Sequence, residues 1–195
     1  MGLLSEIAIR KALASGDLKI EPAPDQTHFD SDSVEVHLGD QVYTWRKPSG
    51  GAITTMQLWA GKGEPGAFNY NQFSKENLVH VAPDPDGIVT MRPLTFYLAD
   101  LKQRTELPPW LAMHIQGKST LARLGVMVHL TAPHAHAGWR GRLTLEMYNL
   151  GPFNIELKPG TPMGQLTFWR VEEPPRADDI VPKAFSGQEK ATGEK

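Results

Sequence analysis

Cysteine is missing altogether from this 195-residue chain. That excludes disulfides, a thiol nucleophile, iron–sulfur clusters and any zinc site built on Cys ligands. The zinc base-deaminase signature, H-x-E with P-C-x-x-C, cannot be assembled either. No apolar run approaches the roughly 18 residues of a membrane span. Residues 1–16 carry Glu6, Arg10 and Lys11 where a secretory signal needs an apolar stretch. The expectation is a soluble, cytoplasmic protein with no membrane partner. Neither sign of charge dominates: 20 Lys+Arg face 22 Asp+Glu, for a net of −2. This balance argues against a nucleic-acid partner held by a broad basic face.

What is present is ordinary globular composition, 40% apolar and 22% charged. The length suits one domain over residues 1–195, with a tail from about 172 expected to be mobile and to close over a ligand. The 18 Gly and 16 Pro exceed the usual share and favour a turn-rich, mainly β protein. Residues 4–15 predict a short helix, with Ser5 as N-cap, Gly16 as the stop, and Ile9 and Leu13 on one buried face. The Pro- and Asp-rich stretch 20–32 reads as loop. Val34, Val36 and Leu38 alternate with Ser33, Glu35 and His37, the period of a half-buried strand, ending at Gly39. Residues 47–66 read as a long mobile excursion. Strands are further predicted around Pro93 within 88–101, at 143–148, at 153–157 and at 165–171, with a corner at Pro108–Pro109. Several short strands with few helices point to a sandwich or barrel.

Three clusters can carry chemistry. In Gly117-Lys118-Ser119-Thr120-Leu121-Ala122-Arg123 the pattern approaches a P-loop, but Ala112 stands where its first Gly is required. Lys118, two hydroxyls and Arg123 can still hold a phosphate chain, and the plainer alternative is a solvated turn. His134 and His136 are two apart and would point the same way on a strand, as metal ligands do. The accompanying cupin pattern fails, because residue 140 is Arg and no His follows His136. Glu146 lies on the strand face opposite Leu143, Leu145 and Met147, beside the uncharged Thr144 and Tyr148. A solitary carboxylate there is a candidate general base, or simply a solvated one.

In order and spacing, several stretches resemble the dCTP deaminase family of the dCTP deaminase/dUTPase superfamily. They are Gly117-Lys118-Ser119-Thr120-Leu121-Ala122-Arg123-Leu124-Gly125, Val128-His129-Leu130-Thr131-Ala132, Gly138-Trp139-Arg140-Gly141, Leu145-Glu146-Met147-Tyr148-Asn149, and Pro159-Gly160 running to Gly164-Gln165-Leu166. Ser33–Gly39 and Ser186-Gly187-Gln188 add weaker support. The resemblance implies a distorted, jelly-roll-like β-barrel of dUTPase type with a short N-terminal helix. It further implies a homotrimer with sites between subunits, and hydrolysis of dCTP to dUTP and ammonia. No zinc would act at the base, and Mg²⁺ would ride on the triphosphate.

By the same resemblance Glu146 is the general base, Ser119 and the Ala132 carbonyl position the water, and Arg123 stabilises charge beside Glu146. Lys118, Ser119, Thr120, Gln165 and Gln188 would face the phosphates, and backbone around Thr144 and Leu145 would read the base edge. His136 stands where the family carries an Asp that contacts the deoxyribose. That departure keeps three other readings open: a dUMP-forming enzyme, a deaminase of a modified pyrimidine nucleotide, and a non-catalytic nucleotide-binding member.

Overall fold

A computed structural model describes residues 2–48, 50, 55–56, 58, 68–181, 185–192 and 194. The expected excursion at 47–66 lies largely outside them. The molecule is mainly β, a curled sheet forming half a barrel, with three α-helices among the described residues. None of those helices is long and apolar enough to cross a membrane.

The first helix, α1 (Glu6–Ala14), starts at Ser5 and is stopped at Gly16, whose φ of +78° suits a residue without Cβ. Ser5 holds the cap position without a capping hydrogen bond. Ile9 and Ala12 are the buried residues, while Leu13 packs at the core's edge. Within 20–32, expected as loop, β1 (Lys19–Glu21) pairs with a later strand because Ile20 is drawn into the core. A 3₁₀ turn at Gln26–His28, capped by the Asp25 carboxylate, and β2 (Phe29–Asp30) follow.

The alternating segment after it forms β3 (Ser33–Trp45), which does not end at Gly39. A Cβ at residue 39 would overlap the Asp100 carboxylate, so Gly39 is there to admit that side chain rather than to stop the strand. Asp100 accepts from Gln41 N–H at 2.9 Å across this approach. Beyond Gly39 the strand changes partners. Its first half pairs with β2 and β12 (Pro162–Arg170), and its second with β6 (Thr95–Glu106) and β4 (Leu78–His80). Preceding β4 comes α2 (Tyr70–Asn77), capped by the Asn69 side chain, which accepts from the Gln72 N–H at 3.2 Å, with Tyr70 and Phe73 packed against Trp45.

Pro93 and Leu94, the latter at φ +53°, divide the 88–101 run into β5 (Val89–Met91) and β6. After the Pro108–Pro109 corner come β7 (Leu111–Gly117), α3 (Ser119–Arg123), β8 (Val126–Met127), β9 (His134–Ala135), β10 (Arg140–Asn149) and β11 (Ile155–Leu157). The sheet order is β8-β10-β6-β3-β12-β7-β9, with β11 and β5 paired apart. Phe168, Leu166, Leu145, Met147, Leu101 and Met113 are fully buried between the curled walls. Each such side chain contributes roughly 1.5–3 kcal/mol by leaving water.

Candidate functional site

Strand β10 sets the site because its period of two sends Leu145 and Met147 inward and Thr144 and Glu146 to the other face. Glu146 is paired in register with Leu98 of β6. On that face it lines a cavity of about 430 Å³ with Trp45, Tyr70, Phe96, Trp139 and Phe185, joined by Ala132, Thr144 and Gln188. Burial among these rings raises the Glu146 carboxyl above its ordinary value, and a backbone N–H from Leu130 offsets part of that. The Tyr70 phenol is raised too, by burial first and then by the charge of Glu146. The Trp139 indole N–H is buried without a partner among the described residues. A carboxylate with raised proton affinity in an aromatic-walled cavity is equipped to take a proton from water.

The tail closes one side of this cavity. Gln188, only 4% exposed, donates from its amide to the Arg142 carbonyl (2.8 Å) and to Thr144 Oγ1 (3.0 Å). Arg142 N–H donates to the Gln188 carbonyl (2.9 Å), and Gly187 N–H to the Arg140 carbonyl (2.7 Å). Gly141 permits the approach, since a Cβ there would stand 2.6 Å from the Gln188 carbonyl oxygen. Replacing Gln188 by Ala removes both side-chain bonds and is expected to loosen the tail by about 1.4 kcal/mol. Limited proteolysis beyond residue 172 would then speed up roughly tenfold. An unchanged cleavage rate would show that the amide does not hold the tail.

Other residues singled out from the sequence lie elsewhere on the chain. Lys118 opens α3 and is paired with Glu35 of β3. Ser119, Thr120 and Arg123 are exposed. Gln165 of β12 sits in register between Gln116 and Glu35. None of these five lines the Glu146 cavity. Leu145 is fully buried on the core face, so only its backbone can meet a ligand.

His136 lines a different cavity, of about 770 Å³, with His114, His134 and Trp169. His134 and His136 do share a side, their rings 4.7 Å apart, and His114 Nε2 lies 2.8 Å from His134 Nδ1. His114 carried no sequence signal, being 20 residues away on β7. His134 lines both cavities, and burial, followed by its two histidine neighbours, depresses its proton affinity. Among the described residues the group with metal-ligand proximity is instead His28, Glu35 and His37.

The dCTP deaminase-like family model matches residues 3–171. The chain belongs to the dCTP deaminase-like family. Relatives within it include a "dCTP deaminase" of Rhodospirillum rubrum, 32% identical over 171 residues covering 88% of this chain and 84% of that one. Another, of Natronomonas pharaonis, is 31% identical over 173 residues, covering 88% and 82%. A "dCTP deaminase, dUMP-forming" of Methanobrevibacter smithii is 28% identical, covering 89% and 83%. Among solved structures, the 2′-deoxycytidine 5′-triphosphate deaminase of Agrobacterium tumefaciens superposes with a TM-score of 0.62 at 22% identity, which shows the family's fold. That match covers 88% of this chain and 48% of the other, so the chain spans about half the length of that structure.

Proposed function

We propose that this dCTP deaminase-like chain hydrolyses dCTP to dUTP and ammonia, with Glu146 as general base. The observation that carries this reading is the half-buried carboxylate of Glu146, raised by burial, in a cavity closed by its own chain's aromatics and tail. Free water has a pKa of about 15.7 and needs such a base. Glu146 takes one water proton while the oxygen bonds to C4 of the cytosine, and delivers that proton to N3. In the second step Glu146 takes the proton of the new C4 hydroxyl and passes it to the exocyclic nitrogen as the bond from C4 to that nitrogen breaks, the C4 carbonyl forms and ammonia departs. One water enters and one ammonia leaves, without oxidation or reduction. The Ala132 carbonyl, on the cavity wall, would hold the water, and backbone at Thr144 and Leu145 would read the base.

Arg123, Ser119, Thr120, Lys118 and Gln165 lie off this cavity in one chain, which supports a site completed by a second copy in a homotrimer. There they would supply positive charge and hydroxyl groups to the triphosphate and to the carboxylate. Glu35, the acidic side chain beside Lys118 and Gln165, is already engaged by Lys118 and faced by His37. These residues therefore fit an Mg²⁺ carried on the triphosphate rather than a protein-held ion. When bound, the ion would neutralise phosphate oxygens. His136, in the family's Asp position, would meet the sugar only from the neighbouring cavity.

Chromatography of reactions containing purified protein, Mg²⁺ and dCTP, CTP, dUTP or 5-methyl-dCTP tests this. dUTP from dCTP alone is the expected result. dUMP with pyrophosphate would replace it with the outcome named for the Methanobrevibacter relative. Turnover of the methylated nucleotide only would shift the substrate, and no turnover would overturn the reading.

A further inference from the structure

Behind Lys118 runs a chain of buried polar groups that no step of the deamination uses. His37 of β3 and Gln103 of β6, two paired strands, are 8% and 5% exposed. The His37 backbone N–H donates to Gln103 Oε1 at 2.9 Å. That bond fixes which end of the amide is which, so the atom 2.8 Å from His37 Nδ1 is the NH₂ of Gln103. Nδ1 must then accept, and the ring's single proton sits on Nε2. Nε2 faces Glu35 Oε1 at 3.4 Å, while the other carboxylate oxygen, Oε2, holds the Lys118 ammonium.

His28 completes the surroundings, edge-on to His37 with ring centres 4.6 Å apart. Its Nδ1 accepts the Asp25 N–H at 3.3 Å, so its proton also belongs on Nε2. A cation bound through Nε2 of either ring would move that ring's proton to Nδ1, where a donor already points, the Gln103 NH₂ at His37 and the Asp25 N–H at His28. The trio is thus a hydrogen-bonded support for a carboxylate, not a set of metal ligands.

We propose that His37, locked in its Nε2–H form by Gln103, is a positioning residue that holds Glu35 and thereby presents the Lys118 ammonium to the nucleotide's phosphates. This rests on the reading of Lys118 as a phosphate ligand. A free lysine side chain samples many rotamers and loses them on binding. One already tethered to a fixed carboxylate loses fewer, and the triphosphate, with its higher charge, draws the ammonium forward from a set place. Glu35 cannot swing after it while His37 faces the other oxygen.

The test uses the full chain with two substitutions. His37→Leu removes both the acceptor for Gln103 and the donor for Glu35. His37→Gln restores both, since its amide can accept from Gln103 and donate to Glu35. The expected result is a KM for dCTP raised about tenfold in the Leu variant with kcat within about twofold, and recovery to near the wild-type KM in the Gln variant. An unchanged KM in a folded Leu variant, or equal loss in both variants, would overturn the proposal. Nitrogen-15 NMR of wild-type protein at neutral pH gives an independent readout that needs no variant and no nucleotide. His37 protonated on Nε2 agrees, and protonation on Nδ1 overturns the chain at its first link. If wild-type protein has no affinity for dCTP in calorimetry, the nucleotide reading itself fails and takes the purpose of Lys118 with it, whatever tautomer is found.

Discussion

Glu146→Gln is expected to lower kcat for dCTP by about a thousandfold while leaving dCTP affinity within about threefold. The amide keeps the shape of the carboxyl and its place on the cavity wall, but it cannot accept a proton from water. Quench-flow or steady-state assays beside calorimetric dCTP titration separate the two effects. Activity near the wild type would remove Glu146 from the mechanism. The pH profile carries the same argument. Only the ionised carboxylate can act, so wild-type kcat should rise on an acid limb that lies above the ordinary carboxylate range, because burial raises this group.

Stability runs the other way. The folded chain holds the Glu146 proton more tightly than the unfolded one. As pH climbs from the ordinary value through the raised one, the folded state therefore loses stability. The Gln variant escapes that loss. It should melt above the wild type at pH 7.5, and the gain should vanish once pH falls below the unfolded value. A stabilised, inactive variant is the signature of a functional carboxylate kept at a cost.

Gly125→Ala is expected to lower stability by about 3 kcal/mol, a fall of roughly 6–12 °C in Tm for a chain of this size. Two terms add. Gly125 has φ +87°, where a Cβ costs about 1–2 kcal/mol. That Cβ would also stand 2.5 Å from Gly151 N and 2.8 Å from Gly151 Cα, and overlap of this kind costs about 1–3 kcal/mol. Backbone cannot yield as a flexible side chain does, and the neighbouring Leu150 N–H donates to the Gly125 carbonyl at 2.8 Å. Relief has to come from α3, which carries Ser119 and Arg123, so activity should fall together with stability. Gly160→Ala is the control. Its φ is +88° but no atom lies within 4 Å of the added Cβ, so only the conformational term should appear. Equal losses at the two positions would show that the close approach to Gly151 does not matter.

Much of this was legible in the sequence wherever a period of two ran through apolar residues. The strands at 33–39 and 143–148 are legible that way, and Glu146 is conspicuous as the acid on an otherwise uncharged face; Leu143, expected opposite it, instead lines the Glu146 cavity, because the register shifts between Arg142 and Thr144. Gly39 misled, because a glycine reads as a stop while its actual role depends on Asp100, brought close by the fold. Helix α2 offers only weak signals, the Asn69 cap and the pair Tyr70 and Phe73 three apart in a mostly polar stretch, and Trp45, which covers that pair, comes from a distant strand. The cavity's aromatic wall could not be read either, since Trp45, Tyr70, Trp139 and Phe185 come from four distant stretches. The same holds for Lys118 and Glu35, 83 positions apart, and for His37 and Gln103, 66 apart. Local pattern specifies elements and faces, whereas tertiary closure decides which faces meet.

Phe185, Gln188 and Ala191 line the cavity that buries Glu146, so the proton affinity of that carboxyl is not a fixed property of its strand. With the tail seated, the carboxyl binds its proton tightly. With the tail lifted, water returns and that grip relaxes. Seating and protonation are therefore linked functions: mild acid favours the seated tail, and each lifting of it sheds a fraction of a proton to solvent. In effect Phe185, Gln188 and Ala191 help to set the proton affinity of an acid some forty positions earlier in the chain.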